Sequence, residues 1–286
     1  LNEAIPLYKQ TLTDSIRILG PDHPHTLASR NNLANAYRDA GRLDEAIALH
    51  KQTLEDRARI LGPHHPDTLA SRNNLAGTYR ASGRLDKAIP LYEQTLEDSI
   101  RVLGTDHPGT LTARNNLAGA YRAAGRLEEA ITLYEQVFSG RSRVLGPDHR
   151  STLTARDHLA DTYWEAGRFD EAITLKKQIL ADAMRIMGPD STGASAARLN
   201  LAATYRDAGR LNEAIALYKQ NLDDVARTLG LDHPETLASR HSLAGAYRDA
   251  GRLDEAIPLF EQNLTDFIRI LGPDRPDTFT SRSTLA

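Results

Sequence analysis

The sequence predicts an all-α protein: an α-α superhelix, built as a solenoid of antiparallel helix hairpins. Three observations carry that expectation. Glycine recurs at 20, 62, 104, 146, 188, 230 and 272, and again at 41, 83, 125, 167, 209 and 251. Both series advance by 42 residues without an insertion or deletion. Each period holds two stretches with apolar residues at helical spacing and no stretch with strand alternation. A hairpin this small cannot bury its apolar stripes alone, whereas stacked hairpins bury them between neighbours.

The elements follow in order. Leu1-Asn2-Glu3-Ala4 matches Leu43-Asp44-Glu45-Ala46, so residues 1–19 read as a lone second helix of a hairpin. The first full repeat begins with helix A, from about Pro24 to Ala40, where Leu27, Leu33, Ala34 and Tyr37 share a face. Pro24 suits a first helical turn, and Asp22 or His23 can cap it. Gly41 suits the left-handed residue after a helix end. Helix B runs from about Arg42 to Leu61, with Leu43, Ala46, Ile47, His50, Leu54, Ala58 and Leu61 as its stripe. Asp44 and Glu45 favour its N-terminal dipole, and Arg57 and Arg59 its C-terminal one. Gly62-Pro63 stops it. Six such pairs fill residues 21–272, and residues 273–286 read as a truncated helix A. Pro6, Pro90 and Pro258 should bend their helices locally. The array reads as one solenoid without internal linkers, cut mid-repeat at both ends, and therefore as a fragment of a longer chain.

Composition narrows the function. Lys plus Arg number 35 and Asp plus Glu 38, a net charge of −3, so global charge argues for neither nucleic acid nor an anionic membrane. The absence of Cys removes disulfides, thiolate metal sites and cysteine nucleophiles. No apolar run approaches the roughly 20 residues of a membrane-spanning helix. We expect a soluble, cytoplasmic chain. No phosphate loop, dinucleotide fingerprint, zinc-protease or nucleophile-elbow string occurs. The expectation is a protein that is not an enzyme and needs no cofactor or metal.

Two recurring features look chemical. The pairs Asp22-His23, Asp106-His107, Asp148-His149 and Asp232-His233 recur in the loops before helix A. Each loop offers one pair without convergent partners, and the loop at 188–193 lacks the His yet keeps register, so capping and loop packing explain them better than a metal or a base. Arg30, Arg72, Arg114, Arg156, Arg198, Arg240 and Arg282 lie on the apolar face of helix A. A buried Arg needs a partner. The helix B series Asp14, Asp56, Asp98, Asp182, Asp224 and Asp266 supplies one, broken once by Gly140.

Leu33-Ala34, Tyr37, Gly41 and Ala46, with Tyr92, Tyr134, Tyr218 and Phe260 in an aromatic slot of helix B, resemble the tetratricopeptide repeat. His50 and Lys176 depart from that slot. The usual period of the family is 34, and the 42-residue period with its Leu-Gly-Pro-Asp-His-Pro and Asn-Asn-Leu-Ala strings is similar to the kinesin light chain type. The resemblance implies a right-handed solenoid whose helices A line a concave surface, and a partner that is a protein or peptide.

If Tyr37 faces the hairpin core, the opposite face carries Asn31, Asn32 and Asn35, then Asn73, Asn74 and Gly77, then Asn115, Asn116 and Gly119. Asn amides can bond both groups of an extended backbone. By the resemblance, Asn32, Asn74, Asn116 and Asn200 match a position that holds a ligand backbone. Arg38, Arg80, Arg122, Arg206 and Arg248 at the edge hint at acidic peptides, with Asp39, Asp207 and Asp249 partly neutralising three of them. One repeat departs most: Asp157, His158, Asp161 and Trp164 occupy the same positions, and either form a specificity centre or record drift. A metal at His158 and Asp161 would need further ligands. We expect a module that binds an extended or helical segment of a partner protein, as a scaffold or sensor region of a larger regulatory protein. The alternative is self-assembly into homo-oligomers through exposed end faces.

Overall fold

The computed structural model describes residues 4–272, so the truncated helix A expected at 273–286 lies outside the described residues. The fold is all-α, of the superhelix class, with thirteen helices and no strand among the described residues. The A-type helices are α2 (Pro24–Asp39), α4 (Pro66–Ala81), α6 (Pro108–Ala123), α8 (Arg150–Glu165), α10 (Thr192–Asp207) and α12 (Pro234–Asp249). The B-type helices are α1 (Ala4–Leu19), α3 (Leu43–Leu61), α5 (Leu85–Leu103), α7 (Leu127–Leu145), α9 (Phe169–Met187), α11 (Leu211–Leu229) and α13 (Leu253–Leu271). Packing gathers the chain into two compact units, Leu1–Ala155 and Arg156–Ala286. In the first, α1 to α7 pack consecutively, and α4 also touches the A helices on either side, α2 and α6. In the second, α9 to α13 pack consecutively.

The helix boundaries follow from local chemistry. Gly41 takes φ 76°, and Arg42 N–H donates to the Tyr37 carbonyl at 2.8 Å, which is the Schellman closure that returns the chain into helix B. The Arg42 guanidinium then stacks 4.4 Å from the Tyr37 ring centre and bonds Glu45. Helix A is capped by His, not by the preceding Asp. His23 Nδ1 accepts from His25 N–H at 3.2 Å, and His65, His107, His149 and His233 repeat the bond. Ser191 Oγ does the same work for Ala194 where His is missing. The freed Asp22 pairs with Arg59 at 2.6 Å, tying the loop to the end of helix B. The Asp-His pair is thus one cap and one tie. Pro90 and Pro258 sit inside helices that continue through them.

The core is made of small residues under larger ones. Ala46, Ala88, Ala130, Ala172 and Ala214 are fully buried, which lets helices approach closely, and Leu33, Leu75, Leu117 and Leu201 fill the space beside them. Through this core runs the expected Arg–Asp ladder. Arg30 reaches Asp56 at 2.6 Å, Arg72 Asp98 at 2.7 Å, Arg156 Asp182 at 2.6 Å, Arg198 Asp224 at 3.1 Å and Arg240 Asp266 at 2.6 Å. A second Arg from helix B holds the same carboxylate, as Arg101 holds Asp98 at 2.5 Å. Burial works to raise the Asp98 carboxyl, but Arg72, His64 and Arg101 outweigh it and hold it below the usual range. The ladder costs desolvation and fixes how helix B lies on helix A.

Candidate functional site

The face of the A helices opposite the core carries the residues singled out from sequence, and its side chains are joined in steps of 43 residues. Asn74 Nδ2 donates to Asn31 Oδ1 at 2.9 Å, and Asn116 Nδ2 donates to Asn73 Oδ1 at 3.0 Å. Each bond links one A helix to the next. It also orients the amides. Asn73 uses its carbonyl and keeps its NH2, while Asn74 uses one N–H and keeps its carbonyl. A donor and an acceptor therefore stand side by side on α4, as an extended backbone requires. Asn31, Asn73, Asn74 and Asn116 are half-buried, and Asn115 and Arg122 are half-buried and engaged with neighbours. Asn32 and Asn200 are exposed and Asn35 half-buried, and among the described residues none of the three has a side-chain hydrogen-bond partner.

The edge arginines lean across to the next repeat. A Cβ built on Gly119 would lie 3.3 Å from Arg80 Nη1 and 3.4 Å from the Tyr134 hydroxyl, and one on Gly77 would lie 3.3 Å from the Tyr92 hydroxyl. Glycine at these positions therefore seats both the tyrosine hydroxyl and the arginine. Burial pushes the Tyr92 phenol up, opposed by Arg80 and Arg38. A hollow of about 330 Å³ results, walled by Arg38, Asn73, Asn74, Arg80, Tyr92 and Asn116. Among the described residues no carboxylate comes within ion-pair distance of Arg80. A second hollow of about 260 Å³ shares Asn73 and Asn74 and has Leu69, Ala70, Leu103 and Ala113 on its wall. The amide pair stands between a cationic hollow and an apolar one.

Residues 156–249 use the same positions differently. Asp161 pairs with Lys176 at 3.1 Å, so the acid and the lysine that break the pattern answer each other across the hairpin. Trp164 Nε1 donates to Asp207 Oδ2 at 2.8 Å, again a 43-residue step, and the ring stays 40% exposed. Burial and the nearby Asp161 raise the Asp157 carboxyl, although the residue as a whole is exposed at the surface; Arg156 and Lys176 oppose the rise. His158 is half-buried and engaged with a neighbour. Arg206 lies 3.8 Å from Asp207 and 3.9 Å from Asp249, and Arg248 lies 3.4 Å from Asp249. No group of three or more His, Cys, Asp or Glu gathers for a metal among the described residues.

Sequence reasoning missed a coupled pair. Helix A positions 77, 119 and 161 meet helix B positions 92, 134 and 176. Gly77 and Gly119 go with Tyr92 and Tyr134, and Asp161 with Lys176. The signal was the co-occurrence of two departures from the pattern, Asp161 and Lys176, at a spacing of 15. His50 is completely buried and neither ring nitrogen has a hydrogen-bond partner. Burial, with Arg38 nearby, pushes its pKa down to about 4. No helix among the described residues is long and apolar enough to cross a membrane.

The tetratricopeptide repeat model matches residues 1–57, 27–99, 73–142, 113–185 and 193–265. A second model of the same repeat matches residues 158–224. Among solved structures, the chain is similar to the nearly identical TPR-like repeats of a Podosopora anserina protein assigned to the kinesin light chains. Identity there is 33%, with 72% of this chain and 98% of that one covered and a TM-score of 0.64. It also resembles BtubC (BKLC) from P. vanneervenii, at 20% identity, 80% and 92% coverage and a TM-score of 0.60. The apo quorum sensor NprR from B. thuringiensis shares the fold at 14% identity, 99% and 76% coverage and a TM-score of 0.57. No curated protein matches the sequence.

Proposed function

The chain belongs to the tetratricopeptide repeat family, of the kinesin-light-chain-like type, and we propose that the A-helix face of residues 24–142 binds an extended, carboxylate-bearing segment of another protein. Members of this family act generally as protein-interaction scaffolds, and we read this chain as a module of that kind, without catalysis of its own. The observation that carries the reading is the Asn73–Asn74 pair, which keeps one donor set and one acceptor free between a cationic hollow and an apolar one. A segment with Asp or Glu next to an apolar residue fits both. The amides would take its backbone, and Arg80 would take the acid.

The test is a peptide array probed with the wild-type chain, followed by titration of the enriched peptides. Enrichment of Asp or Glu beside an apolar residue is expected. Asn74→Ala with Asn116→Ala should weaken binding about 5- to 30-fold, about 1–2 kcal/mol of lost hydrogen bonding. Equal binding by the double variant would sink the amide-face reading. Arg80→Ala should lower affinity for the acidic peptide and not for its amide counterpart.

One observation favours a second reading, self-assembly. On α1, Leu7 and Ile18 are each 66% exposed. Such an apolar face would take another helix hairpin. Light scattering over a concentration series decides: a monomer at every concentration counts against it.

A further inference from the structure

The Arg–Asp ladder has one rung without its acid. In the other described repeats the helix A arginine and a helix B arginine grip one carboxylate between them: Arg30 and Arg59 hold Asp56, Arg72 and Arg101 hold Asp98, Arg198 and Arg227 hold Asp224, and Arg240 and Arg269 hold Asp266. In the third repeat both arginines are present, as Arg114 and Arg143, but the acid position is Gly140. Arg114 is nine-tenths buried, at 7% exposure, with Nε unpartnered and only the Thr105 carbonyl at 3.5 Å from Nη1. A hollow of about 410 Å³ opens there, lined by Arg114, Arg143, Gly140, Gln136, Asp106 and Glu135. Asp106 attracts Arg114 through space but bonds Arg143, and neither acid on the wall comes within ion-pair distance of Arg114. Burial pulls the Arg114 guanidinium below its ordinary value, as expected of a desolvated cation whose partner is missing.

We infer that the hollow at Gly140 is a binding site for a carboxylate, which takes the place that Asp56, Asp98, Asp182, Asp224 and Asp266 fill in the neighbouring repeats.

The neighbouring rungs supply the template. There an Asp carboxylate receives one guanidinium from helix A and one from helix B, so a planar anion with two oxygens is the chemistry this gap lacks. A Gly at this one position removes the side chain but keeps the cations that served it. Leu111 leans toward the space, since a Cβ on Gly140 would come within 2.6 Å of its Cδ2. The site is carried by positions other than the amide face and stands independently of it. The carboxylate comes from one of two sources, a small free acid or an Asp side chain of a bound polypeptide.

The experiment uses the intact chain at neutral pH. Its thermal midpoint is compared in sodium acetate and sodium chloride at equal ionic strength, and again with acetamide. The Arg Nε–H signals are followed by NMR through the same additions. Acetate should raise the midpoint and shift the Arg114 signal with an apparent Kd on the order of millimolar, as befits so small a ligand; acetamide should do neither. A capped Asp peptide, set against its Asn counterpart, separates the two sources, and a response to either acid supports the site. Gly140→Asp supplies the carboxylate from within, so it should raise the midpoint unaided and abolish the acetate response. If Leu111 prevents that variant from folding, Arg114→Met carries the test and should lose the response. An acetate effect of equal size in wild type and variant, or no effect in wild type of either acid, overturns the inference.

Discussion

The A-helix faces of residues 24–142 and of residues 156–249 are built on the same register and spend their side chains differently. In the first, Asn73 and Asn74 bond neighbouring amides and still keep a donor set and an acceptor, glycines make room, and no carboxylate among the described residues pairs with Arg80. In the second, Asp161 is answered by Lys176, Trp164 by Asp207, and Arg206 and Arg248 by Asp249. Backbone and core are common property; a face is open where the repeated positions keep hydrogen-bonding capacity, and closed where the chain has answered it internally.

Substitutions test the two regions against each other, beginning with what they share. Asp98→Ala strands Arg72 in the core and should cost about 3–5 kcal/mol, read from local amide exchange in α4 and α5. Asp182→Ala should cost as much around α8 and α9; a small loss in only one region would show that the ladder is not common structure. Next comes pH. His50 is neutral where it is buried and titrates at about 4 when folded, against 6.5 for a free imidazole. Its contribution is complete above 6.5 and is lost as pH falls towards 4, by about 3 kcal/mol in all. His50→Phe, which borrows the residue at 260, should lose less stability than wild type across that window. The coupled pair gives a smaller effect. Lys176→Tyr alone removes the cation that answers the half-buried Asp161, at a cost of about 2 kcal/mol. Asp161→Gly with Lys176→Tyr copies the Gly–Tyr solution and should recover to within about 1 kcal/mol of wild type. Smallest is Trp164→Phe, which removes one exposed hydrogen bond to Asp207 and should change the melting free energy by about 0.5–1 kcal/mol.

Much of this was legible in the sequence because it is periodic. Glycine spacing placed the helix ends, the apolar stripes placed the core, and the Arg and Asp series placed the ladder, including its gap at Gly140. The cap was half legible: the Asp-His pair marked the right loop, but which residue caps depends on where Arg59 ends, and that is a matter of tertiary reach. The links between A helices were not read. Asn31 with Asn74, Asn73 with Asn116, and Trp164 with Asp207 all lie 43 residues apart. The period is 42, and the extra residue is the offset between successive helices, which a sequence laid out by period conceals. The same layout hid the Asp161–Lys176 coupling, since each residue looked like a separate departure from the pattern rather than half of an exchange.

The unbroken 42-residue step has a consequence for how such a chain can change over time. Because every hairpin begins and ends on the same backbone angles, with Gly41-type and Gly62-type turns at constant intervals, loss or duplication of one whole period rejoins like with like. The Asp161–Lys176 exchange sits inside one hairpin and would travel with it as a self-contained cassette. The Trp164–Asp207 bond spans two hairpins and would be severed by a cut between them. Repeat number is therefore an inheritable dial that can turn without refolding the rest, and bonds that cross hairpins are the ratchet that stops it turning freely.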